Sequence, residues 1–269
     1  MATLLFLGSG SAYTLGTNNF QSNMLLTSDR GETLLVDCGT DIRFSLHAAD
    51  LSYQDISSIY VSHLHSDHAG GLEYIGFSRK FDPDCDRPTI YTSADIAVDL
   101  WDRTLSGGMR SLHQELATLE TFFQPEAIEV GGAFTWEGIH FQLVAVDHVH
   151  NGIFQMPAYG LFFELNNIRI FISSDCQVSW EQNRYYYEMA DVIFHDCETT
   201  PFSTPVHAHY SDLSLLPEAV RRKMWLYGYQ PGRLPDATLD GFRGFVQQGQ
   251  QFEFSANLIS SSESLVLVA

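Results

Sequence analysis

Positive charge is scarce in this chain of 269 residues: 14 Lys and Arg stand against 33 Asp and Glu, for a formal net charge of −19. A protein that follows a long phosphate backbone needs the opposite balance, because Lys and Arg must displace its counterions. Long nucleic acid is therefore excluded as an expected partner. A small anion is not, since a bound divalent ion can reverse the local sign. Cysteine is scarce too: Cys38, Cys85, Cys176 and Cys197 lie far apart, with no Cys-x-x-Cys pair and no disulfide framework of the kind small secreted domains need. They read as reduced thiols in a cytosol. Long apolar runs are missing, so no membrane span is expected. The opening Met1–Ala12 has only Leu4–Leu7 as an apolar run and no basic residue before it, unlike a signal peptide. The expectation is a soluble cytoplasmic protein.

What is present fits a folded enzyme-sized unit. Apolar residues make up 45% and charged residues 17%, which excludes a disordered or collagen-like chain. No solenoid period is visible. Short apolar runs alternate with Gly and Pro, so one mixed α/β domain over residues 1–269 is the simplest account. Strands are predicted over Thr3–Leu7, Thr33–Asp37, Ser58–Ser62, Pro88–Tyr91, Ile139–Val146, Tyr159–Leu165, Ile168–Ser173, Asp191–His195 and Met224–Tyr229. Helices are predicted over Gly71–Lys80, Ala94–Leu105, a segment around Tyr185–Ala190, and Asp212–Met224. Residues 102–125 read as a surface connection, or as an excursion over a pocket or toward a second subunit. The segment Ser255–Ala269 reads as a terminal strand.

The segment Ile59-Tyr-Val-Ser-His63-Leu-His65-Ser-Asp67-His68-Ala-Gly70-Gly71 carries the chemistry. A β-type run ends and three histidines and an aspartate follow within one short loop, the ligand types that suit zinc and similar ions. If the strand runs to about His63, the loop can present His63 and His65 in one direction and Asp67 and His68 in another, serving two neighbouring metals. The glycine pair then lets the chain turn sharply into the next helix.

Here the sequence resembles the metallo-β-lactamase superfamily, whose H-x-H-x-D-H motif is matched by His63, His65, Asp67 and His68. Phe6-Leu7-Gly8-Ser9-Gly10-Ser11 and Leu35-Val36-Asp37-Cys38-Gly39 look like elements of its RNase Z-like phosphodiesterase branch, in the expected order. The resemblance implies an α/β fold, an αββα sandwich with metals at one edge of two sheets. It implies His148, in preference to His150, as the third ligand of the first metal, and Asp175 as a carboxylate bridging both. Asp191–Thr199 is similar to the branch's H-E-A-T element, and Val206–Leu213 to the element carrying a catalytic histidine, which leaves His207 or His209 to serve beside Asp67. Asp37 and Asp196 are candidates for orienting ligand histidines. One departure stands out: where many relatives end a late strand in a histidine for the second metal, this chain has Gly228. The second site would then keep Asp67, His68, Asp175 and water, or recruit His209.

The interval between His148 and Asp175 has room for a hairpin but not for the arm of transfer-RNA processing enzymes. With the acidic charge, this points to a small phosphodiester. The sequence is most similar to the anti-Pycsar-type cyclic nucleotide phosphodiesterases of the branch, on Phe20–Asn23, Asp41–Leu46 and Val206–Tyr210. The resemblance implies hydrolysis of 3′,5′-cyclic nucleotides, including cyclic pyrimidine nucleotides, with two Zn2+ or Mn2+ ions in a homodimer. Two alternatives stay open: a nucleotide-sequestering binder with an incomplete second metal site, and a metal-dependent esterase or thioesterase.

Overall fold

The computed structural model describes residues 1–15 and 18–254; the predicted terminal strand in Ser255–Ala269 lies outside them. The chain forms β1 (Thr3–Phe6), β2 (Met24–Thr27), β3 (Thr33–Val36), β4 (Ser58–Tyr60), β5 (Thr89–Ser93), the small hairpin β6 (Ser111–Leu112) and β7 (Glu115–Leu116), and β8 (Gln124–Ile128). Then come β9 (Ala133–Trp136), β10 (Ile139–Ala145), β11 (Tyr159–Leu165), β12 (Ile168–Ile172), β13 (Val192–Asp196), β14 (Met224–Tyr227), β15 (Gly244–Phe245) and β16 (Gln251–Glu253). One seven-stranded sheet runs β16-β1-β2-β3-β4-β5-β8 and the other β15-β14-β13-β12-β11-β10-β9.

Period-two alternation sorts side chains between three cores. Leu4, Phe6, Leu34 and Val36 of the first sheet meet Phe141, Ile170, Ile172 and Phe194 of the second between the sheets. Leu35 and Ile59 point the other way and pack under Ile42, Leu46, Leu72, Ile75 and Phe122 from covering helices. Phe171, Ile193 and Leu226 face outward from the second sheet onto Tyr187, Leu213 and Val220. Helix, sheet, sheet, helix is the layer order that the resemblance implied.

Nine strands were expected and each is present, Tyr159–Leu165 with the expected bounds and the others with shifted ends. Among the strands not predicted, β8 (Gln-Pro-Glu-Ala-Ile) is an exposed edge strand where proline is tolerated and no apolar face is needed. The predicted helix Asp212–Met224 is two single turns, Tyr210–Leu213 and Glu218–Arg221. Pro217 separates them, because it has no N–H to continue the first turn and disfavours helix in the residue before it. Residues 102–125 fold back onto the first sheet's outer core through Leu105, Met109, Ala117 and Phe122. Glu115 and Leu116 at the tip of the hairpin stay exposed.

Strands β3, β4, β5 and β8 run parallel, as do β12, β13, β14 and β15. The motif residues sit just past the carboxyl ends of these runs, the usual place for a site in sheets of parallel strands.

Candidate metal centre

Asp37 follows β3, His63 follows β4, Asp175 follows β12, and Asp196 ends β13. The loop after His63 winds into one turn of helix, Ser66–Ala69, which carries Asp67 and His68 inward. That turn is stitched to the end of β3: the Cys38 N–H donates to the His68 carbonyl (2.7 Å) and the Gly71 N–H to the Cys38 carbonyl (2.8 Å). Here the structure corrects the reason for the glycines. Gly70 and Gly71 have φ of −68° and −87°, open to any residue. The demand is space: a Cβ on Gly71 would lie 2.2 Å from the Gly39 carbonyl oxygen.

Ligand atoms converge in three overlapping groups: His63, His65 and His148; His63, His68 and Asp175; and Asp175, Asp196 and His207. In the first group, His65 Nδ1 lies 3.1 Å from His63 Nε2 and 3.0 Å from His148 Nε2. Two nitrogens bound at tetrahedral zinc are separated by about 3.3 Å, so the spacing fits one ion. The tautomers fit as well. The Ser62 hydroxyl donates to Asp37 Oδ2 (2.8 Å), so it can only accept from His63 Nδ1–H (3.0 Å). His148 Nδ1–H donates to the Val206 carbonyl at 2.9 Å. Both rings therefore turn an Nε2 lone pair toward the centre. Burial holds His63 and His65 below the ordinary histidine range and His148 at about 4. The imidazoles are thus neutral, the form that ligates.

The second group is ionic. His68 Nε2 sits 3.2 Å from both Asp67 Oδ2 and Asp175 Oδ2, while its Nδ1–H donates to Asp37 Oδ2 at 2.7 Å. His68 is 2% exposed and its Nε2 makes no hydrogen bond, which is what a nitrogen reserved for a metal looks like. Burial opposes its charge, but Asp175, Asp37 and Asp67 together raise its pKa well above normal. Asp175 is buried, which opposes ionisation, yet His68, His207 and His63 hold its carboxyl well below the ordinary range.

Of the two histidines left open by the sequence, the structure brings His207 to the cluster and leaves His209 apart. His207 Nδ1–H donates to Asp196 Oδ2 at 2.8 Å and lies 3.8 Å from Asp175 Oδ2. Burial works against its charge, but Asp196, then Asp175 and Glu198, push its pKa up to about 10. His209 instead caps the helix Tyr210–Leu213 through Ser211, and its Nε2 donates to the Thr200 carbonyl at 2.9 Å. Asp37 and Asp196 accept from His68 and His207, the contacts expected of orienting carboxylates. His150 is outside these groups, with Nδ1 accepting from the Gly152 N–H. His195 is fully buried and turned away: its Nδ1–H donates to the Asp196 carbonyl and the Tyr187 hydroxyl donates to its Nε2, each at 2.7 Å. Cys176 and Cys197 are buried, and burial pushes both thiols up, as inert structural cysteines.

Beside His207 opens a cavity of about 760 Å3 whose lining includes Trp180, Thr204, Leu216 and Pro217. Trp180 was missed in the sequence because an isolated tryptophan carries no pattern; its ring stacks on Tyr187 at 5.8 Å.

The family model for the anti-Pycsar protein Apyc1 matches residues 2–252. The chain belongs to the anti-Pycsar Apyc1 family. An anti-Pycsar protein Apyc1 from Paenibacillus harenae is 31% identical over 88% of this chain and 91% of its own length. Among solved structures, the metallo-β-lactamase fold protein YhfI from Bacillus subtilis superposes with a TM-score of 0.72 at 16% identity, covering 94% of this chain and all of that one. Human tRNase Z, short form, superposes with a TM-score of 0.68 at 17% identity, covering 93% of this chain and 98% of that one. These place the chain in the metallo-β-lactamase fold. No helix among the described residues is long and apolar enough to cross a membrane.

Proposed function

We propose that this protein is a metal-dependent phosphodiesterase that opens 3′,5′-cyclic nucleotides, cyclic pyrimidine nucleotides among them, to mononucleotides and so counters Pycsar signalling. The observation that carries the reading is the sharing of His63 by two ligand groups, with a third group ending in His207 at their edge. The donors fit two divalent ions, because neutral imidazoles fill one group and a buried, unpartnered His68 Nε2 faces two carboxylates in the other. Nitrogen and carboxylate ligands suit zinc and also manganese. Bound there, the ions would act as Lewis acids on a phosphoryl oxygen and lower the pKa of water.

The chain's own residues do the rest. Asp37 orients His68, and Ser62 orients His63. His207, anchored by Asp196 and 29% exposed, holds a positive charge at neutral pH where it can meet a phosphate or protonate a leaving oxygen. The cavity beside it is large enough for a nucleoside and offers Trp180 as an apolar wall. The stretch from His148 to Asp175 is occupied by one antiparallel hairpin, β11 and β12, which supports a small substrate over an RNA.

Chromatography of 3′,5′-cyclic nucleotides incubated with purified protein and Zn2+ or Mn2+ tests the reading. Conversion to mononucleotide that vanishes in His63→Ala supports it. Intact nucleotides released unchanged on heating would replace it with the sequestering reading, which the side-chain-free position 228 favours. Faster cleavage of a carboxylic ester than of any phosphodiester would replace it with an esterase.

A further inference from the structure

The second ligand group is short of protein donors on the β14 side. The strand ends at Tyr227, and Gly228 brings no side chain. What fills the space is Asp196. A Cβ built on Gly228 would lie 2.5 Å from Asp196 Oδ1, and Gly228 has φ +77°, which any other residue would adopt under strain. The lack of a side chain at 228 and the position of the Asp196 carboxylate are therefore one arrangement.

Asp196 is 1% exposed. Its Oδ2 accepts from the Cys176 N–H at 3.1 Å and from His207 Nδ1–H at 2.8 Å. Its Oδ1 has no hydrogen-bond partner, although a buried carboxylate oxygen left unpaired is costly. The carboxylate also shares a ligand group with Asp175, which sits 3.2 Å from His68 Nε2. Asp196 thus offers a buried, unpaired oxygen on the side of Gly228 and shares a ligand group with Asp175.

We propose that Asp196 is a protein ligand of the second metal ion in this chain, its carboxylate standing in the space that a side chain at position 228 would need. The second site is then Asp67, His68, Asp175 and Asp196, with the Asp196 carboxylate held by the Cys176 N–H and also hydrogen-bonded to His207. Three carboxylates to one imidazole make this a harder site than the three-histidine site beside it, and one better suited to Mn2+. The inference rests on the two-ion reading of the centre and is independent of the substrate.

Metal titration of chelator-stripped protein tests it, with Mn2+ or Co2+ competed against a chromophoric chelator and Co2+ absorption as the spectroscopic signature. The native protein should take two equivalents. Asp196→Asn is isosteric and keeps an acceptor for His207; it should retain the first equivalent and bind the second at least tenfold more weakly. His207→Ala leaves the carboxylate in place and should keep the second equivalent within a few-fold. Retention of the first equivalent shows that each variant is folded. Uptake of a single equivalent by native protein overturns the proposal, as does native affinity for the second ion in Asp196→Asn. Equal loss in His207→Ala and Asp196→Asn overturns it as well, by reducing Asp196 to a partner of His207. A protein that takes two ions through Asp196 and cleaves no cyclic nucleotide would sink the proposed function and leave this assignment standing.

Discussion

The two halves of the metal centre are built by different physics. On the His63, His65 and His148 side, neutral rings are aimed by a serine hydroxyl and a backbone carbonyl, and burial keeps them unprotonated. On the His68, Asp175, Asp196 and His207 side, charged groups aim one another, and burial is opposed by close ion pairs. The first half is aimed by hydrogen bonds to neutral groups, the Ser62 hydroxyl and the Val206 carbonyl. In the second half each charge depends on its neighbour, so removing one partner strands another in the interior.

His63 offers a single Nε2 lone pair within reach of both ligand groups, so His63→Ala gives the largest effect. Cyclic nucleotide turnover should fall by roughly a thousandfold or more, since metal ions contribute several kcal/mol to such chemistry; metal analysis should show loss of the first ion, with the second site, which keeps Asp67, His68 and Asp175, less affected. Asp37→Ala separates the halves. It removes the acceptor of His68 Nδ1–H directly and reaches His63 only through the Ser62 hydroxyl, which also donates to Asp37, so second-site affinity should weaken by roughly 10–100-fold with the first site less affected. Equal weakening of both sites, measured by metal competition, would mean that the halves are one unit.

Acid sharpens the contrast from another direction. His195 is buried on the second sheet with a pKa lowered by burial to about 4, against 6.5 for a free histidine. The unfolded chain therefore takes up this proton first as pH falls. The stability that this histidine contributes is complete above pH 6.5 and lost on descent toward pH 4, amounting to about 2 kcal/mol by pH 5. Denaturant unfolding of chelator-treated protein at pH 7 and pH 5 should show the loss, and His195→Gln should flatten it. The smallest effect belongs to His209→Ala, which removes a helix cap and should cost about 1 kcal/mol or less in stability. Its turnover should stay far above that of His207→Ala.

Part of each half was legible in the chain. His63 and His65 on one side and Asp67 and His68 on the other are close in sequence, and a loop between a strand and a helix leaves them few ways to point. Of the two carboxylates expected to orient ligand histidines, Asp37 accepts from His68, whereas Asp196 accepts from His207, which is not among the expected ligand histidines. The second half was less legible. His207 and His209 lie two residues apart with the same chemistry, and only the turn that makes His209 the cap of Tyr210–Leu213 separates them. Trp180 opens the helix Trp180–Met189 and stacks on Tyr187 of the same helix; its place at a cavity edge depends on Pro205, Leu216 and Pro217, which are distant in the chain.

By itself the sequence determined most of the strands, through short apolar runs between turn residues, and the cluster of candidate donors His63, His65, Asp67 and His68; the layer order, His148 and Asp175 were implied by the family resemblance. The strands and the cluster are local properties of the chain. Tertiary structure alone decided which histidine joins the candidate ligand cluster, why Gly71 must be glycine, and how Asp196 comes to lie where a side chain at 228 would stand. These depend on close approach between segments far apart in the chain, and such distances are set by packing of the whole core.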